Sequence, residues 1–218
     1  MSSNTILIYI LIFLCSYLIG SIPWGFLIGR LYGVDIRKVG SGNIGATNVT
    51  RSLGKLPGRI CFFLDLLKGF LPVLAVSMML KQQYFDDPDQ FAQIIAAASA
   101  VLGHMFSVFM KFRGGKGIST IFGVLLGFSP WSFLAAGIVW VLVFLISRYV
   151  SMASIAACAV LPVAATLFTM TEVYYHSIWV LAFLFLLSIL AVIRHSANIR
   201  RLINGTENRF ERKRNRTS

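Results

Sequence analysis

The sequence predicts an all-α, polytopic membrane protein. Hydrophobic residues make up 57% of its 218 residues and charged residues 13%, with a mean hydropathy of +0.77, which is more apolar than an ordinary soluble domain. Several apolar runs reach the roughly 17–25 residues that a membrane-crossing helix needs. Backbone groups in lipid must pair within their own segment, so these runs should be helices. The alternating short strands of a membrane barrel do not occur in the sequence.

Seven segments are predicted to cross the membrane. They lie at about 5–31, 60–80, 91–110, 114–129, 131–148, 151–170 and 176–194. The fourth is short and has a glycine-rich start. The first is too long for a cleaved signal peptide and no Lys or Arg precedes it, so it should be retained. The chain is therefore predicted to form one transmembrane domain over 1–203, followed by a basic cytoplasmic tail over 204–218.

Basic residues are unevenly distributed between the predicted loops. With seven crossings, 18 of the 20 Lys and Arg residues fall on the face that carries the loops near 32–59, 111–117 and 148–151 and the C-terminal tail. Lys81 is the single basic residue on the other face. Because cytoplasmic loops carry an excess of Lys and Arg, the N-terminus is predicted to be external and the C-terminus cytoplasmic.

The formal net charge of +12 is explained largely by this loop asymmetry. Nucleic acid is not an expected partner, because aromatic residues are not interleaved with the basic run of the tail. The tail is expected to lie near anionic headgroups of membrane lipids. Cys15, Cys61 and Cys158 lie in separate apolar segments without paired spacing, so they are interpreted as core residues. Neither a metal site nor a cofactor is expected.

A cluster of glycine and small polar residues follows the first segment, between Gly40 and Asn48, with Arg51 three residues later. Glycines allow consecutive N–H groups to converge on an anion, and arginine can bind phosphate oxygens with two N–H groups. The candidate residues in this first motif are Ser41, Gly42, Asn43, Gly45, Thr47, Asn48 and Arg51. The alternative interpretation is a flexible Gly/Asn loop between two helices.

A second motif surrounds Lys116 at the start of the fourth segment. Lys116 stands among Gly114, Gly115 and Gly117, so a phosphate there would meet an ammonium group and a helix N-terminus. The pattern is not a Walker A loop, because its spacing differs and no strand precedes it. The alternative is a basic loop that only orients the chain in the membrane.

A third motif follows the last segment. His195 and Asn198 are three residues apart, so a helix would place both on one face. Histidine exchanges protons near neutral pH, whereas asparagine only orients its partners. Glu207 is interpreted as part of a local salt bridge or cap. Asp65 and Lys68 are interpreted as a mutually neutralising pair inside the second segment, and His104 as a packing residue.

These motifs together resemble the acyl-phosphate:glycerol-3-phosphate acyltransferases of bacterial inner membranes. The resemblance runs in order through Ser21-Ile22-Pro23, Gly40 to Asn48 with Arg51, DLLKG at 65–69, GHMFSV at 103–108, FRGGKG at 112–117, RHSANIRRL at 194–202 and GTE at 205–207. It implies seven helices with an external N-terminus and a multi-pass enzyme whose active site faces the cytoplasm. It also implies transfer of a fatty acyl group from acyl phosphate to sn-glycerol 3-phosphate, giving lysophosphatidic acid and phosphate in phospholipid biosynthesis.

The same resemblance assigns roles to individual residues. Ser41, Arg51, Lys116, His195 and Asn198 are the implied catalytic residues. The implied substrate-binding residues are Gly42, Asn43, Gly45, Thr47, Asn48, Gly114, Gly115 and Gly117, with either Ser151 or Ser154 as a further contact. Expected partners are the two substrates, membrane lipids and the enzyme that supplies acyl phosphate.

The catalytic base remains open at this stage. No His is followed by Asp at the spacing H-x-x-x-x-D used by other glycerophosphate acyltransferases, so the base is either His195 or a phosphate oxygen of a substrate. His195 could instead position phosphate, and this positioning role is the favoured interpretation, because adjacent cations and phosphate would shift its pKa in opposite directions. The main alternative function is a membrane transporter of an organic phosphate, which would have polar residues accessible from both faces.

Overall fold

The computed structural model describes residues 3–210, and these residues are all-helical in their regular structure, as predicted. No strand occurs within this range. Ten α-helices are present: α1 (Ser3–Ser21), α2 (Trp24–Leu31), α3 (Ala46–Leu53), α4 (Lys55–Lys81), α5 (Phe91–Met105), α6 (Ile118–Phe128), α7 (Pro130–Ser147), α8 (Val150–Met170), α9 (Ile178–Ile193) and α10 (Ser196–Ile203). Short 3-10 turns cover Ile36–Lys38 and Val108–Met110.

Five stretches in the described range are long and apolar enough to cross a membrane. They are Asn4–Leu31, Lys55–Lys81, Phe91–Met110, Pro130–Ser147 and Val150–Met170. The chain is thus a multi-pass membrane protein. A sixth candidate combines α9 with α10, which bends away from it by 55°. The predicted count of seven crossings stays a prediction.

The predicted fourth crossing is the segment that differs most from the structure. Its helix, α6, has only 11 residues, which rise roughly 16 Å, about half of the hydrocarbon thickness of ~30 Å. The helix starts at Ile118 rather than at 114, because Gly114 and Gly115 donate their N–H groups to carbonyls at the end of α5. The first crossing is also interrupted, at Ile22–Pro23, where α1 ends and α2 begins.

The outer surface of the helices is apolar. Along α7, Ser132 and Ala136 are the buried residues, whereas Ile138, Leu142 and Ile146 are more than half exposed. A water-soluble surface does not carry such continuous apolar patches. Lipid chains would cover these side chains in the bilayer.

Close helix packing holds α6 against α4. A Cβ atom at Gly69 would overlap the carbonyl oxygen of Thr120, and one at Gly123 would overlap that of Leu66. Small residues at such positions let helix backbones approach closely in membranes. This contact places the start of α6, and with it Lys116, beside the middle of α4.

A small second core supports the first motif. Ile28, Ile36, Ile44, Val49 and Cys61 are all buried there. They join α2, α3 and α4 beneath the loop from residue 35 to residue 45. The loop that carries Ser41 therefore rests on packed side chains.

The orientation in the membrane gives a prediction that labelling can check. A cysteine replacing the exposed Gln82, between α4 and α5, should react with an impermeant thiol reagent from outside intact cells. A cysteine at the exposed Lys55 should react only after permeabilisation, because the loop asymmetry places it inside. The opposite labelling pattern would reverse the predicted orientation.

Candidate active site

A cavity of about 430 Å³ brings the three motifs together. Its lining includes twelve of the fifteen predicted site residues: Ser41, Asn43, Gly45, Thr47, Asn48, Arg51, Lys116, Gly117, Ser151, Ser154, His195 and Asn198. Gly42 and Gly114 line an adjoining cleft instead. Gly115 lines neither of these two cavities. Segments that are more than 140 residues apart in the chain thus form one site.

Much of the remaining cavity lining, here called the apolar wall, consists of nonpolar residues. It is formed by Phe62, Leu66, Phe122, Phe133, Gly137, Trp140 and Val141, from α4, α6 and α7. The sequence did not single out these residues, because they look like any other apolar residues of membrane helices. The cavity lining therefore combines polar groups with apolar residues suited to a hydrocarbon chain.

Asn48 anchors the first motif. Its Oδ1 accepts a hydrogen bond from the Ser41 backbone N–H at 2.8 Å, and its Nδ2 donates to the carbonyls of Ile36 and Val39. Gly40, at φ +57°, passes so close that a Cβ atom there would overlap Asn48 Oδ1. These bonds use the buried amide of Asn48 within the loop and hold the Ser41 backbone in place, while a direct role of Asn48 in binding substrate stays a prediction.

The short helix α3 presents Thr47 and Arg51, one turn apart, to the cavity. Asn43 Oδ1 accepts from the Gly45 N–H at 2.8 Å, which shapes the entry to this helix. Arg51 Nη2 donates to the Asn208 carbonyl at 3.0 Å, and its guanidinium lies 5.0 Å from the Phe210 ring centroid. Burial lowers the pKa of Arg51, yet arginine stays charged in proteins.

The glycines of the second motif serve close packing. The N–H groups of Gly114 and Gly115 donate to the carbonyls of Met105 and His104, both at 3.1 Å. A Cβ atom at Gly115 would overlap the His104 ring. Their N–H groups are thus hydrogen-bonded to α5 carbonyls, and the role of these two glycines in binding substrate stays a prediction. Gly117, at φ +85°, begins the turn into α6.

Lys116 is the titratable cation of the cavity. Its Nζ donates to Asn198 Oδ1. Burial lowers the pKa of Lys116 to about 8, with nearby arginines lowering it and Glu207 raising it. Its charge therefore changes close to neutral pH, unlike that of Arg51.

Glu207 joins three segments at the polar wall. Its Oε1 accepts from Ser151 Oγ at 2.9 Å and from Asn198 Nδ2 at 2.7 Å, and its Oε2 accepts from Arg201 Nε at 2.7 Å. The predicted local salt bridge is confirmed. Burial alone would raise the pKa of Glu207, but the hydrogen bonds from Asn198, Arg201 and Ser151 lower it. Asn198 consequently bridges Glu207 and Lys116.

These contacts continue the packed part of the chain beyond residue 203, where the transmembrane domain is predicted to end. Glu207 is buried and Phe210 donates its N–H to the Arg148 carbonyl at 3.0 Å. Residues 207–210 therefore belong to the site. The remainder of the predicted tail, 211–218, lies outside the described residues.

His195 stands at the bend between α9 and α10, and both it and Asn198 face the cavity, as predicted. Its Nδ1 lies 2.8 Å from the Ala191 carbonyl oxygen. A carbonyl only accepts hydrogen bonds, so Nδ1 carries a proton. Burial lowers the pKa of His195 to about 4, an effect that the Ala191 bond partly opposes. The ring is therefore neutral at pH 7, with an unprotonated Nε2.

The two candidate serines differ in their surroundings. Ser151 Oγ donates to Glu207 on the polar side. Ser154 Oγ donates to the Val150 carbonyl at 2.8 Å and lies 3.2 Å from Trp140 Nε1 on the apolar side. Ser151 is consequently the serine beside the charged groups.

Asp65, Lys68 and His104 form a buried cluster under the cavity. Lys68 Nζ lies 2.8 Å from Asp65 Oδ1 and donates to the Ile22 carbonyl at 2.8 Å. The predicted neutral pair is thus present. Asp65 and His104 also line the cavity, a position that the sequence did not indicate because these residues lie 39 positions apart.

Comparison with known proteins identifies the family. The model of the family described as glycerol-3-phosphate acyltransferase matches residues 10–205. A glycerol-3-phosphate acyltransferase of Aquifex aeolicus is 44% identical over 195 residues, covering 89% of this chain and 95% of the relative. One of Geotalea daltonii is 42% identical over 206 residues, covering 93% and 98% of the two chains.

Solved structures agree with this match. The crystal structure of an integral membrane glycerol 3-phosphate acyltransferase in its glycerol 3-phosphate form is 42% identical to this chain, with a TM-score of 0.82 and coverage of 93% of this chain and 96% of the other. A crystal structure of the lysophosphatidic acid form has a TM-score of 0.80 at 41% identity, with coverage of 93% and 95%. Sequence, fold and cavity thus lead to one conclusion: the chain belongs to the glycerol-3-phosphate acyltransferase family of integral membrane proteins.

Proposed function

We propose that this chain transfers a fatty acyl group from acyl phosphate to glycerol 3-phosphate, releasing lysophosphatidic acid and phosphate. The observation that carries this proposal is a single cavity with one cationic wall and one apolar wall. The two related structures in glycerol 3-phosphate and lysophosphatidic acid forms support the acceptor and the product. Family membership favours acyl transfer over transport of an organic phosphate.

The cationic wall suits two phosphate groups. Asp65 and Glu207 also line the cavity, but each is paired, with Lys68 and Arg201 respectively. Within residues 3–210, Arg51 and Lys116 have no carboxylate at ion-pair distance. These two cations are therefore left to bind phosphate oxygens, with the hydroxyls of Ser41 and Thr47 nearby.

Acyl phosphate is already activated, so an acyl-enzyme is unnecessary. We assign the base to His195, because its ring lines the cavity and its Nε2 keeps a lone pair when Nδ1 donates to the Ala191 carbonyl. As the glycerol hydroxyl oxygen bonds to the acyl carbon, its proton passes to Nε2. The bond from the acyl carbon to the phosphate oxygen breaks, and phosphate leaves with the electron pair. The imidazolium then returns the proton to the departing phosphate.

The apolar wall would hold the acyl chain, which places the reacting carbonyl at the boundary between the two walls. Arg51 and Lys116 would then offset charge on the leaving phosphate. We further propose a location in the bacterial inner membrane with the cavity facing the cytoplasm, supported by the loop charges. The enzyme that supplies acyl phosphate is the proposed protein partner.

Purified protein in lipid provides the decisive test. With acyl phosphate and glycerol 3-phosphate it should release lysophosphatidic acid and phosphate in equal amounts, also in excess chelator, and it should not use acyl-CoA. Formation of product from acyl-CoA alone, or no product from acyl phosphate, would contradict the proposal.

Lys116 provides a prediction on phosphate binding. Lys116→Ala should lower kcat/KM for glycerol 3-phosphate about 10- to 150-fold, since a charged hydrogen bond is worth about 1.5–3 kcal/mol. Steady-state rates at varied glycerol 3-phosphate would measure it, with the exposed Lys55→Ala as control. An equal loss of kcat/KM in the Lys55→Ala control would contradict a specific role of Lys116 in binding phosphate.

The pH dependence of kcat/KM should show whether the charge of Lys116, rather than the shape of its side chain, is needed for activity. Because the pKa of Lys116 is lowered to about 8, its charge is complete below that pH and is lost as pH rises through it. Wild-type kcat/KM should therefore decline above about pH 8. Lys116→Arg keeps a charge through this range, so its alkaline decline should disappear. If the alkaline decline of kcat/KM were unchanged in Lys116→Arg, a group other than Lys116 would cause it.

Gly137 gives a prediction on the acyl chain. A Cβ atom there would meet only Phe122 Cε1, at 3.9 Å, so a larger side chain would enter the apolar side of the cavity. Gly137→Leu should lower activity about 5- to 150-fold for long donors, matching an overpacking cost of about 1–3 kcal/mol, and should spare short ones. Donors of graded length would measure it, and Ile138→Phe on the lipid-facing side of α7 is the control. Equal loss at every length would place the acyl chain elsewhere.

A further inference from the structure

A second, wider cleft of about 950 Å³ opens beside the candidate active site. It lies between the loop from residue 35 to residue 44, the loop from residue 109 to residue 116, and the start of α10. The residues that line both cavities are Ser41, Asn43, Lys116, Asn198 and Arg201. The cleft therefore adjoins the cationic wall of the candidate active site.

The cleft is strongly cationic. Its lining contains six cations, Arg37, Lys38, Lys111, Arg113, Lys116 and Arg201, and one carboxylate, Asp35. Arg37 is paired with Asp35 at 2.7 Å, and Arg201 with Glu207. Lys38, Lys111 and Arg113 are exposed and form no ion pair or side-chain hydrogen bond in the described part of the chain. Three cations at its mouth are therefore available to an anion.

The loop that carries two of these cations is held in an unusual conformation. Lys111 and Phe112 both have left-handed backbone angles, at φ +52° and +61°, which cost non-glycine residues roughly 1–2 kcal/mol each. The Phe112 N–H donates to the Ser107 carbonyl at 2.8 Å, and the Arg113 N–H to the Met110 carbonyl at 3.1 Å. Backbone strain of this kind concentrates at functional sites.

Membrane orientation alone does not account for this arrangement. Lys55 and Arg59 lie on the same predicted face and are also exposed, but they line neither cavity. Cations that only orient the chain need not gather around one concavity. A cleft lined by charges of one sign raises the local concentration of oppositely charged substrates.

We propose that this cleft is an outer collecting site for phosphate monoester dianions, through which glycerol 3-phosphate reaches the inner cavity. Lys111 and Arg113 attract the dianion at the mouth, and Lys116 and Asn198 receive it at the inner end. The inference rests on the proposed acceptor substrate. It adds a second phosphate site to the one that holds the reacting molecule.

The test combines Lys111→Asn with Arg113→Gln, because asparagine tolerates the left-handed conformation at 111. At low ionic strength, of about 0.02 M, the double variant should raise KM for glycerol 3-phosphate about 3- to 10-fold with kcat retained. At about 0.5 M salt the difference should fall below about twofold, because screening shortens the reach of the charges. KM for acyl phosphate presented in the bilayer should not change.

Two further variants make the result specific. Lys55→Gln with Arg59→Gln removes the same charge from the same predicted face and should leave KM unchanged. Lys111→Arg with Arg113→Lys keeps the charge and should behave as wild type. An equal KM increase in the Lys55 and Arg59 variant, a salt-independent increase, or an unchanged KM in the Lys111 and Arg113 variant would overturn the outer site. Wild-type protein that forms no lysophosphatidic acid would instead overturn the proposed function.

Discussion

Replacing His195 by Asn should lower kcat about 100- to 10,000-fold, the range in which a general base contributes to catalysis. The asparagine amide can still donate to the Ala191 carbonyl that His195 Nδ1 now contacts at 2.8 Å. It cannot take a proton at the position of Nε2. The loss should therefore appear in kcat, while KM for glycerol 3-phosphate stays close to the wild-type value.

The comparison of kcat with KM distinguishes two roles for this residue. A histidine that positioned phosphate would need to donate from Nε2, and its loss would raise KM. Burial lowers the pKa of His195 to about 4, so Nε2 is an acceptor at neutral pH, which supports the proposed base role over donation to phosphate. Arg200→Gln, an exposed change in α10, the helix that follows His195, is the control and should retain activity.

The pH profile offers an independent check of the same assignment. A lowered histidine pKa means that the base is fully available from about pH 5 upwards. Any acidic decline near pH 6 should then belong to the substrate phosphate, whose second pKa is about 6, and should persist in the His195→Asn variant. A decline near pH 6.5 that disappears in the variant would show a protonated ring and contradict the base role.

Much of the site could be predicted from the sequence because its chemistry lies in short motifs. Glycines, hydroxyls and cations at 40–51, 114–117 and 194–198 stand out against apolar segments, and loop charge predicts one face for all three. The structure brings them around one cavity. Which N–H groups are available to a ligand could not be predicted, since Gly114 and Gly115 bond to α5 carbonyls that only the fold places nearby.

Two predicted boundaries differ from the packing that the structure shows, for physical reasons of the same kind. Residues 204–210 are polar, as a solvated tail is, yet Glu207 has hydrogen-bond partners on α8 and α10. The segment at 114–129 is predicted to cross the membrane, yet its first residues hydrogen-bond to α5 carbonyls and only 11 residues form α6. The composition of a segment indicates which environments it can occupy. Its hydrogen-bond partners elsewhere in the chain determine where it packs and where its helix begins.

The second large effect is expected in the cluster beneath the cavity. Lys68→Met should destabilise the protein by about 3–5 kcal/mol, because it leaves the Asp65 carboxylate buried without its cation. Both side chains are almost fully buried, at 3% and 2% exposed, and their charged atoms lie 2.8 Å apart. His104 Nδ1 is 3.6 Å from the same carboxylate oxygen, too far to replace the lysine by a hydrogen bond.

A double variant separates the charge from the packing. Combining Lys68→Met with Asp65→Asn removes both charges, and replacing a buried ion pair by neutral groups is often tolerated. The hydrogen bond from Lys68 to the Ile22 carbonyl, at the break between α1 and α2, is lost in both variants. The difference in unfolding free energy between single and double variants, measured in detergent, therefore isolates the unpaired carboxylate. If both variants lose the same stability, the Ile22 contact at the helix break, rather than charge pairing, is what Lys68 contributes.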